Sequence, residues 1–341
     1  MNVLVTGGDT PWGYSLVHGL VRCAGLVGKD GVRRPIGKIV LLNTLPRPAW
    51  RDERIERDPR VVMFTGDIGD AAMIEQVMRA HAITSIFHTE TLVREVGEDD
   101  LDGMWRINVM GTRNLLEAAR KIGNCPKIVF DSSLSVYADR FEGVAVEGVK
   151  LLPSSTYGTS KAIGELLIND YSRRGYVDGK SSLLPGGLVA WRPMRRSDAD
   201  AVRRTFLWPF AKDPFSGEPI ALNLRPDTIV HFNGHHTLVA NLIELHDLPS
   251  DALGADRACI LPAISSSVQA VLDTLRAVAD ELGLAMGPVV DRFRQDRQDE
   301  IDDYVKRADD GKARALGLSS EDMRGVILNY VQGLRDAGIA L

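Results

Sequence analysis

The chain has 341 residues, 44% of them hydrophobic and 26% charged, a composition that excludes disordered and collagen-like chains. Lys and Arg total 41 against 46 Asp and Glu, a formal charge of −5 with no long basic run, so nucleic acid is not the expected partner. Cys23, Cys125 and Cys259 lie far apart and form no C-x-x-C pair, which points to reduced thiols and away from a disulfide framework or zinc site.

No apolar run is long enough to span a bilayer, and the chain enters a strand pattern at Val3 without a basic leader. A cytoplasmic protein with no membrane partner is expected. Short apolar runs then recur at Val3-Leu4-Val5, Ile39-Val40-Leu41-Leu42, Val61-Val62-Met63-Phe64, Ser85-Ile86-Phe87 and Ile128-Val129-Phe130. Each reads as a parallel strand buried on both faces. Amphipathic stretches separate them. Leu115, Ala118, Ala119 and Ile122, for instance, share one helical face. Strand and helix alternating in this way predict an α/β fold, a Rossmann-type doubly wound parallel sheet. Residues 24–37, rich in Gly, Lys and Arg, read as an exposed loop inserted before the second strand.

The first strand runs into Thr6-Gly7-Gly8-Asp9-Thr10-Pro11-Trp12-Gly13 and then a helical pattern. A glycine-rich strand-to-helix turn lets backbone N–H groups meet a pyrophosphate at a helix N-terminus, although such a turn can also close without a ligand. Gly7, Thr10, Pro11, Trp12 and Gly13 are its candidate cofactor contacts, with Thr10 placing a β-branched side chain where a dinucleotide fingerprint has glycine. At the end of the second strand, Asn43 is a candidate for the adenine ribose. It can bond a ribose but carries no charge to repel a 2′-phosphate; NAD is thus possible and NADP stays open, with Arg47 or Arg51 as phosphate partners or simply a solvated loop. After the third strand, Asp67 and Ile68 form a candidate adenine contact, with a helix start before Ala71 as the competing reading.

Tyr157-Gly158-Thr159-Ser160-Lys161 places a phenol and an ammonium four residues apart on one helical face, where the charge favours phenolate and readies Tyr157 for acid–base work. Tyr176 and Lys180 have the same spacing, but the intervening Asp178-Gly179 reads as a turn that would misalign them. Only Tyr157 follows closely on a strand ending in Asp131-Ser132-Ser133, at the sheet edge where open α/β folds bind ligands.

Beyond about residue 180 the alternation fades into a region punctuated by Gly and Pro, and helical patterns return at 268–282 and 320–334, the latter with Ser319 or Ser320 as N-cap and Glu321 and Asp322 in its first turn. The division expected is a dinucleotide-binding domain over 1–185 and a smaller, mixed, mainly substrate-binding portion over 186–341, some of which returns to the sheet. Pro185, at the junction, is a further candidate cofactor contact. His231 and His235 could share a helical face, but adjacent His235 and His236 diverge and no carboxylate or cysteine completes a set, so no metal is expected. Trp191, Trp208 and Phe210 read as core or pocket wall. The arginines between 192 and 204 read as a solvated loop or a grip for a substrate anion.

Taken together, the glycine turn, Gly66-Asp67-Ile68, Phe87-His88, Asn108-Val109-Met110-Gly111-Thr112, Asp131 to Tyr137 and Tyr157 to Lys161 resemble the extended short-chain dehydrogenase/reductase, or NAD-dependent epimerase/dehydratase, family. Within it the chain is most similar to the D-erythronate dehydrogenase group, through the long segment before strand two and the run from Tyr157 to Leu167. The resemblance implies that Ser133 polarises a substrate hydroxyl, Tyr157 accepts its proton, Lys161 lowers the tyrosine pKa and bonds the nicotinamide ribose, and Asn108 supports the helix and a proton relay. It also implies a homodimer joined through helices near 100–122 and 155–171. The chain departs from the family at Thr10, Asn43, Thr89-Glu90 and the segment after Pro185; a carboxylate at Glu90 would face the cofactor phosphates unless it turned to solvent. The function expected is NAD(P)-dependent oxidation or reduction of a secondary alcohol or ketone in a small sugar acid or polyol. The alternatives are a nucleotide-sugar epimerase or dehydratase and a non-catalytic dinucleotide-binding regulator.

Overall fold

The computed structural model describes residues 1–8, 10–44, 53–139, 141–189, 214–215 and 217–336, with backbone alone for 11–12, 53–54, 95–96 and 187–189. Arg47, Arg51, Trp191, Trp208, Phe210 and the arginines between 192 and 204 lie outside the described residues.

Seven parallel strands form the central sheet: β1 (Asn2–Thr6), β2 (Lys38–Asn43), β3 (Val61–Thr65), β4 (Ser85–His88), β5 (Lys127–Ser133), β6 (Asp178–Leu184) and β7 (Ala258–Ile260). Their order across the sheet is β3-β2-β1-β4-β5-β6-β7. The winding reverses beside β1, where Thr6 pairs with Leu42 of β2 on one side and His88 of β4 on the other. Ligands of doubly wound sheets bind in the crevice that such a reversal opens at the carboxyl ends of the strands.

Alternation along the strands builds two cores. Val3 and Val5 of β1 with Ile39 and Leu41 of β2 meet Leu16, Val17 and Leu20 of α1 (Pro11–Arg22) and Leu238, Leu242 and Leu245 of α5 (His235–Asp247). The intervening Leu4, Val40 and Leu42 point the other way. They meet α2 (Ala71–Ala80), α3 (Gly111–Ile122) and α4 (Thr156–Arg173) through Ile74, Val77, Leu115, Ala119 and Ile168. β3 differs from its expected double burial: among the described residues it is an edge strand of the sheet, and Met63 is exposed.

Residues 24–37 are more than a loop. Leu26–Val27 pairs antiparallel with Arg33–Arg34, Leu26 and Ile36 enter the core, and Asp247 at the end of α5 holds the Val27 N–H at 2.8 Å and Arg33 at 2.9 Å. The charged residues that suggested a loop are the hairpin's outer face and its fastening to α5.

Beyond β6 a further core forms around Phe215, Ile220, Val230 and Phe232, covered by α6 (Val268–Leu282) and α7 (Met323–Asp336). α7 starts later than expected. Asp322, not Ser319 or Ser320, is positioned to cap it, its Oδ1 accepting from the Gly325 N–H at 2.6 Å. Asp178 and Gly179 belong to β6 and not to a turn; the chain reverses at Gly175, where φ is +73°. Lys180 is buried and its Nζ lies 3.3 Å from Asp178, so it serves no pair with Tyr176.

The amino end of the sheet carries a buried ionic network. Arg257 donates to Asp178 at 2.5 Å and to the Gly179 carbonyl at 2.8 Å. Lys127 donates to the His246 and Leu248 carbonyls at 3.0 and 3.1 Å, placing a cation at the negative end of α5.

Candidate active site

The glycine turn is shaped by close contacts that only glycine permits. Gly7 has φ +70°, and a Cβ there would stand 2.8 Å from the Glu90 Cα; a Cβ on Gly13 would stand 2.2 Å from the Gly7 carbonyl oxygen. Thr10 does not obstruct the turn as its β-branched side chain suggested. It folds inward as the N-cap of α1, with Oγ1 donating to the Gly7 carbonyl at 2.7 Å and accepting from the Gly13 N–H at 3.1 Å. The α1 N-terminus therefore faces the strand ends. Pro11 opens the helix and Trp12 follows it.

Around this turn the predicted cofactor residues are spread over three strand ends. Asn43 is buried at the end of β2, and its Oδ1, unpartnered, lies where a Cβ on Gly8 would come within 2.8 Å. Asp67 accepts from the Gly69 N–H at 2.8 Å and pairs with Arg106. The helix start that competed for this stretch belongs to Asp70, which caps α2 through the Ala72 and Met73 N–H groups, each at 3.0 Å. Ile68 is core, packed where Gly111 leaves room for it. Pro185 follows β6, its carbonyl accepting from Asn233 Nδ2 at 2.6 Å.

The residues predicted for proton transfer lie at the carboxyl end of β5 and in the first turns of α4. Ser155 caps α4 by accepting from the Gly158 N–H at 3.0 Å, and the Glu98 carboxylate accepts from the Thr156 and Tyr157 N–H groups at 3.2 and 3.1 Å. A Cβ on Gly158 would lie 2.0 Å from the Ser135 carbonyl oxygen, so glycine lets the first turn of α4 press against the turn that follows Ser133. Ser133 Oγ accepts from the Ser135 N–H at 3.1 Å. Tyr157 is half-buried. Lys161 is 2% exposed, with Nζ 5.6 Å from the Tyr157 ring centroid, 5.1 Å from that of Phe130, and 2.5 Å from the Asp131 carbonyl oxygen.

Burial sets the electrostatics. It pushes the Asp131 carboxyl up to about 6 against the pull of Lys161, and Lys161 itself down from the usual lysine value. Glu165, one turn further along α4, is raised to about 7 by burial while Ser132 donates to it. His88, held between Thr6 Oγ1 at 2.8 Å and Thr112 Oγ1 at 2.9 Å, is lowered to about 3 by burial and stays neutral.

Asn108 sits in a π-helical turn, Trp105–Met110, of the sort that recurs at functional sites. Its Oδ1 accepts from the Leu92 N–H at 2.7 Å, and its Nδ2 donates to the Leu92 carbonyl and to Ser160 Oγ, both at 3.0 Å. Ser160 in turn donates to the Tyr157 carbonyl at 2.7 Å. Asn108 thus ties the chain after β4 to the tyrosine-bearing helix. Glu98, Ser160 and Asn233 were not singled out in the sequence; only Ser160, inside the Tyr157–Lys161 run, carried a local signal.

His231 lies in the strand Ile229–Gly234, whereas His235 opens α5, so the helical spacing considered for a metal does not form. Among the described residues no helix is long and apolar enough to cross a membrane.

A doubly wound parallel sheet with a glycine turn after β1 and a Ser-Tyr-Lys set beyond β5 defines the class of a short-chain dehydrogenase/reductase. The GDP-mannose 4,6-dehydratase family matches over residues 41–178. The chain is 32% identical to a D-erythronate dehydrogenase of Cupriavidus necator, over all of both chains. It is 28% identical to one of Haemophilus influenzae, over 97% of this chain and 99% of the other. A crystal structure of a nucleoside-diphosphate-sugar epimerase from Agrobacterium tumefaciens superposes with a TM-score of 0.82 at 25% identity, covering 100% of this chain and 95% of that one. The chain belongs to the NAD-dependent epimerase/dehydratase family of extended short-chain dehydrogenases/reductases, in its D-erythronate dehydrogenase group.

Proposed function

We propose that the protein is an NAD-dependent dehydrogenase of a small sugar acid or polyol, interconverting a secondary alcohol and its ketone, as in D-erythronate dehydrogenase. The observation that carries this is Lys161 beside Tyr157 on the helix that Gly158 presses against the Ser133 turn. The dinucleotide fits the residues present: a tight strand-to-helix turn that only glycine at Gly7 and Gly13 can close, a capped helix N-terminus, and the buried, unpartnered Asn43 oxygen beside it. Gly7, Thr10, Pro11, Trp12 and Gly13 would hold the pyrophosphate side, Asn43, Asp67 and Ile68 the adenosine, and Pro185 with Lys161 the nicotinamide ribose. Bound there, the dinucleotide supplies the hydride acceptor.

This chain's own residues then handle the proton. Ser133 Oγ orients the substrate hydroxyl, and the Tyr157 phenolate takes its proton as the C–H bond on the same carbon gives up hydride. Lys161 favours that phenolate by its charge. Asn108 acts through Ser160, positioning Tyr157. Residues after 186 would close over the substrate.

NADP as an alternative cofactor, a homodimer, a cytoplasmic setting and a role in carbohydrate metabolism complete the reading. Exposed Leu101, Trp105 and Met110 in the 100–122 segment, and exposed Leu166 on α4, support pairing of two copies through these helices. Both full-length curated relatives are dehydrogenases, which favours net oxidation over epimerisation, dehydration or a non-catalytic role. The test is a titration with NAD and NADP followed by a screen of sugar acids and polyols, read by the near-ultraviolet absorbance of reduced nicotinamide. Reduction of NAD by at least one such acid is expected; binding without turnover of any of them would overturn the reading.

A further inference from the structure

We propose that Asp131 is the counter-ion of Lys161, a positioning residue that keeps the lysine charged and so extends the alkaline range over which Tyr157 works as a base. This deepens the proton-transfer reading above and rests on it.

Lys161 is buried, and among the described residues its one hydrogen bond goes to the Asp131 carbonyl at 2.5 Å. A single carbonyl does not offset the burial of an ammonium, which needs an anion close by to keep its proton. The chain places one on the same residue. β4 ends at His88, opposite Phe130, while β5 runs on beside β6 as far as Ser133, so Asp131 is the first residue of β5 past the end of β4. Bond lengths confine an aspartate carboxyl carbon to within about 4.5 Å of its own residue's carbonyl oxygen, which sets the Asp131 carboxyl no more than about 7 Å from the Lys161 ammonium. At an effective dielectric of about 20, unit charges at that separation shift each other's titration by about one to two pH units.

The carboxyl needs the ammonium in return. Asp131 is 8% exposed and its Oδ1 is buried without a hydrogen-bond partner, so against its burial it is the Lys161 charge that favours the ionised form. On Lys161 the opposing effects are burial, which pushes it down, and the carboxyls of Asp131 first and Glu165 second, which draw it up. Other groups around the ammonium do not replace Asp131. His88, from β4, stays neutral, and Ser182, opposite Asp131 on β6, carries no charge. Glu165, on α4, accepts from Ser132 and is raised by burial and by Asp256, so it ionises later than Asp131. Tyr157 is the group whose anion the ammonium serves.

Two measurements test this. The first is the pH profile of kcat for alcohol oxidation in the wild type and in Asp131→Asn, which keeps the shape of the side chain and removes its charge. The variant should leave its alkaline plateau about one to two pH units earlier than the wild type, because Lys161 deprotonates sooner and the phenolate loses its cation. A loss of kcat that is uniform in pH, with the alkaline limb unmoved, is what a merely structural role would give and would overturn the proposal. The second needs neither activity nor a variant at Asp131: carboxyl carbon-13 NMR of aspartate-labelled wild type and Lys161→Met. The wild-type aspartate signal that titrates near pH 6 should move up by about one to two units when the ammonium is removed. A signal that stays in place would overturn the pairing. Should no sugar acid or polyol be turned over, the dehydrogenase reading fails, and the NMR comparison alone decides whether Asp131 and Lys161 hold each other's charge.

Discussion

The Lys161 ammonium lies 5.6 Å from the centre of the Tyr157 ring and is held there by a 2.5 Å hydrogen bond to the Asp131 carbonyl. A cation so fixed, on a residue 2% exposed, acts on the phenol with little screening by water. Tyr157→Phe keeps the ring and removes the acid–base group. Turnover should fall by about 10²–10⁴ while the NAD dissociation constant changes little. Steady-state kinetics beside calorimetry checks this, and retained turnover would remove Tyr157 from the proton transfer.

Gly158→Ala should separate folding from catalysis. The added methyl would stand 2.0 Å from the Ser135 carbonyl oxygen, and backbone on both sides leaves the helix to move. Since small misplacements of catalytic groups cost about a hundredfold, kcat should drop by that order. NAD affinity should fall much less than kcat, because most of the proposed cofactor contacts lie in the glycine turn and at the ends of β2 and β3 and only Lys161 lies on α4; an unchanged kcat would show that α4 tolerates displacement from Ser133.

Asn108→Ala removes the partners of both Leu92 backbone groups and of Ser160 at once. Stranding such groups costs about 1–3 kcal/mol each where they stay dry, so the urea midpoint should fall clearly. As Asn108 acts through Ser160 on Tyr157, kcat should fall further than NAD affinity, and its pH profile should change. A loss of stability with unaltered kcat per folded molecule would reduce Asn108 to a structural clamp.

Glu165 predicts a pH dependence of stability. Burial raises its carboxyl from the usual 4.5 to about 7, so the folded chain holds this proton more tightly than the unfolded chain does. Its contribution is favourable below the ordinary carboxylate range and is lost as pH rises through about 7. Asp131, raised to about 6, acts with the same sign over a lower window. Thermal melting between about pH 5 and 8 should show the wild type losing stability as pH rises and Glu165→Gln losing less. Parallel curves for the two proteins would mean that Glu165 does not titrate in this range.

How far the fold was legible depends on whether burial coincided with apolar character. β1, β2, β4 and β5 announce themselves as continuous aliphatic runs, and α6 occupies the 268–282 span its periodicity predicts. β6 does not: its Asp178, Lys180, Ser181 and Ser182 are all buried, yet polar. Asp178 and Ser182 are tolerated because partners remote in sequence satisfy them, Arg257 for Asp178 and the Phe130 carbonyl for Ser182, while Lys180 pairs with Asp178 itself. No local pattern can disclose such pairings. The candidate site divides in the same way. Gly7, Ser133, Tyr157 and Lys161 stand in short motifs, while Glu98 reaches Tyr157 from 59 residues away and leaves no trace in spacing. Thr10 shows a further limit: residue type alone suggested a clash, and only the backbone shows a cap.

The ionic network at the amino end of the sheet also bears on how the chain is made. Lys127 and Asp178 belong to strands synthesised early, but their partners lie at 246–248 and 257, and β7 adds to β6 only when 258–260 exist. A nascent chain that has just released β6 from the ribosome therefore carries Asp178 and Lys180 on an edge strand, beside Lys127 of β5, before the segment that closes this edge exists. At ordinary elongation rates that interval lasts several seconds. Those charges keep the unfinished edge hydrated and unattractive to other chains until the α5–β7 segment arrives to bury them.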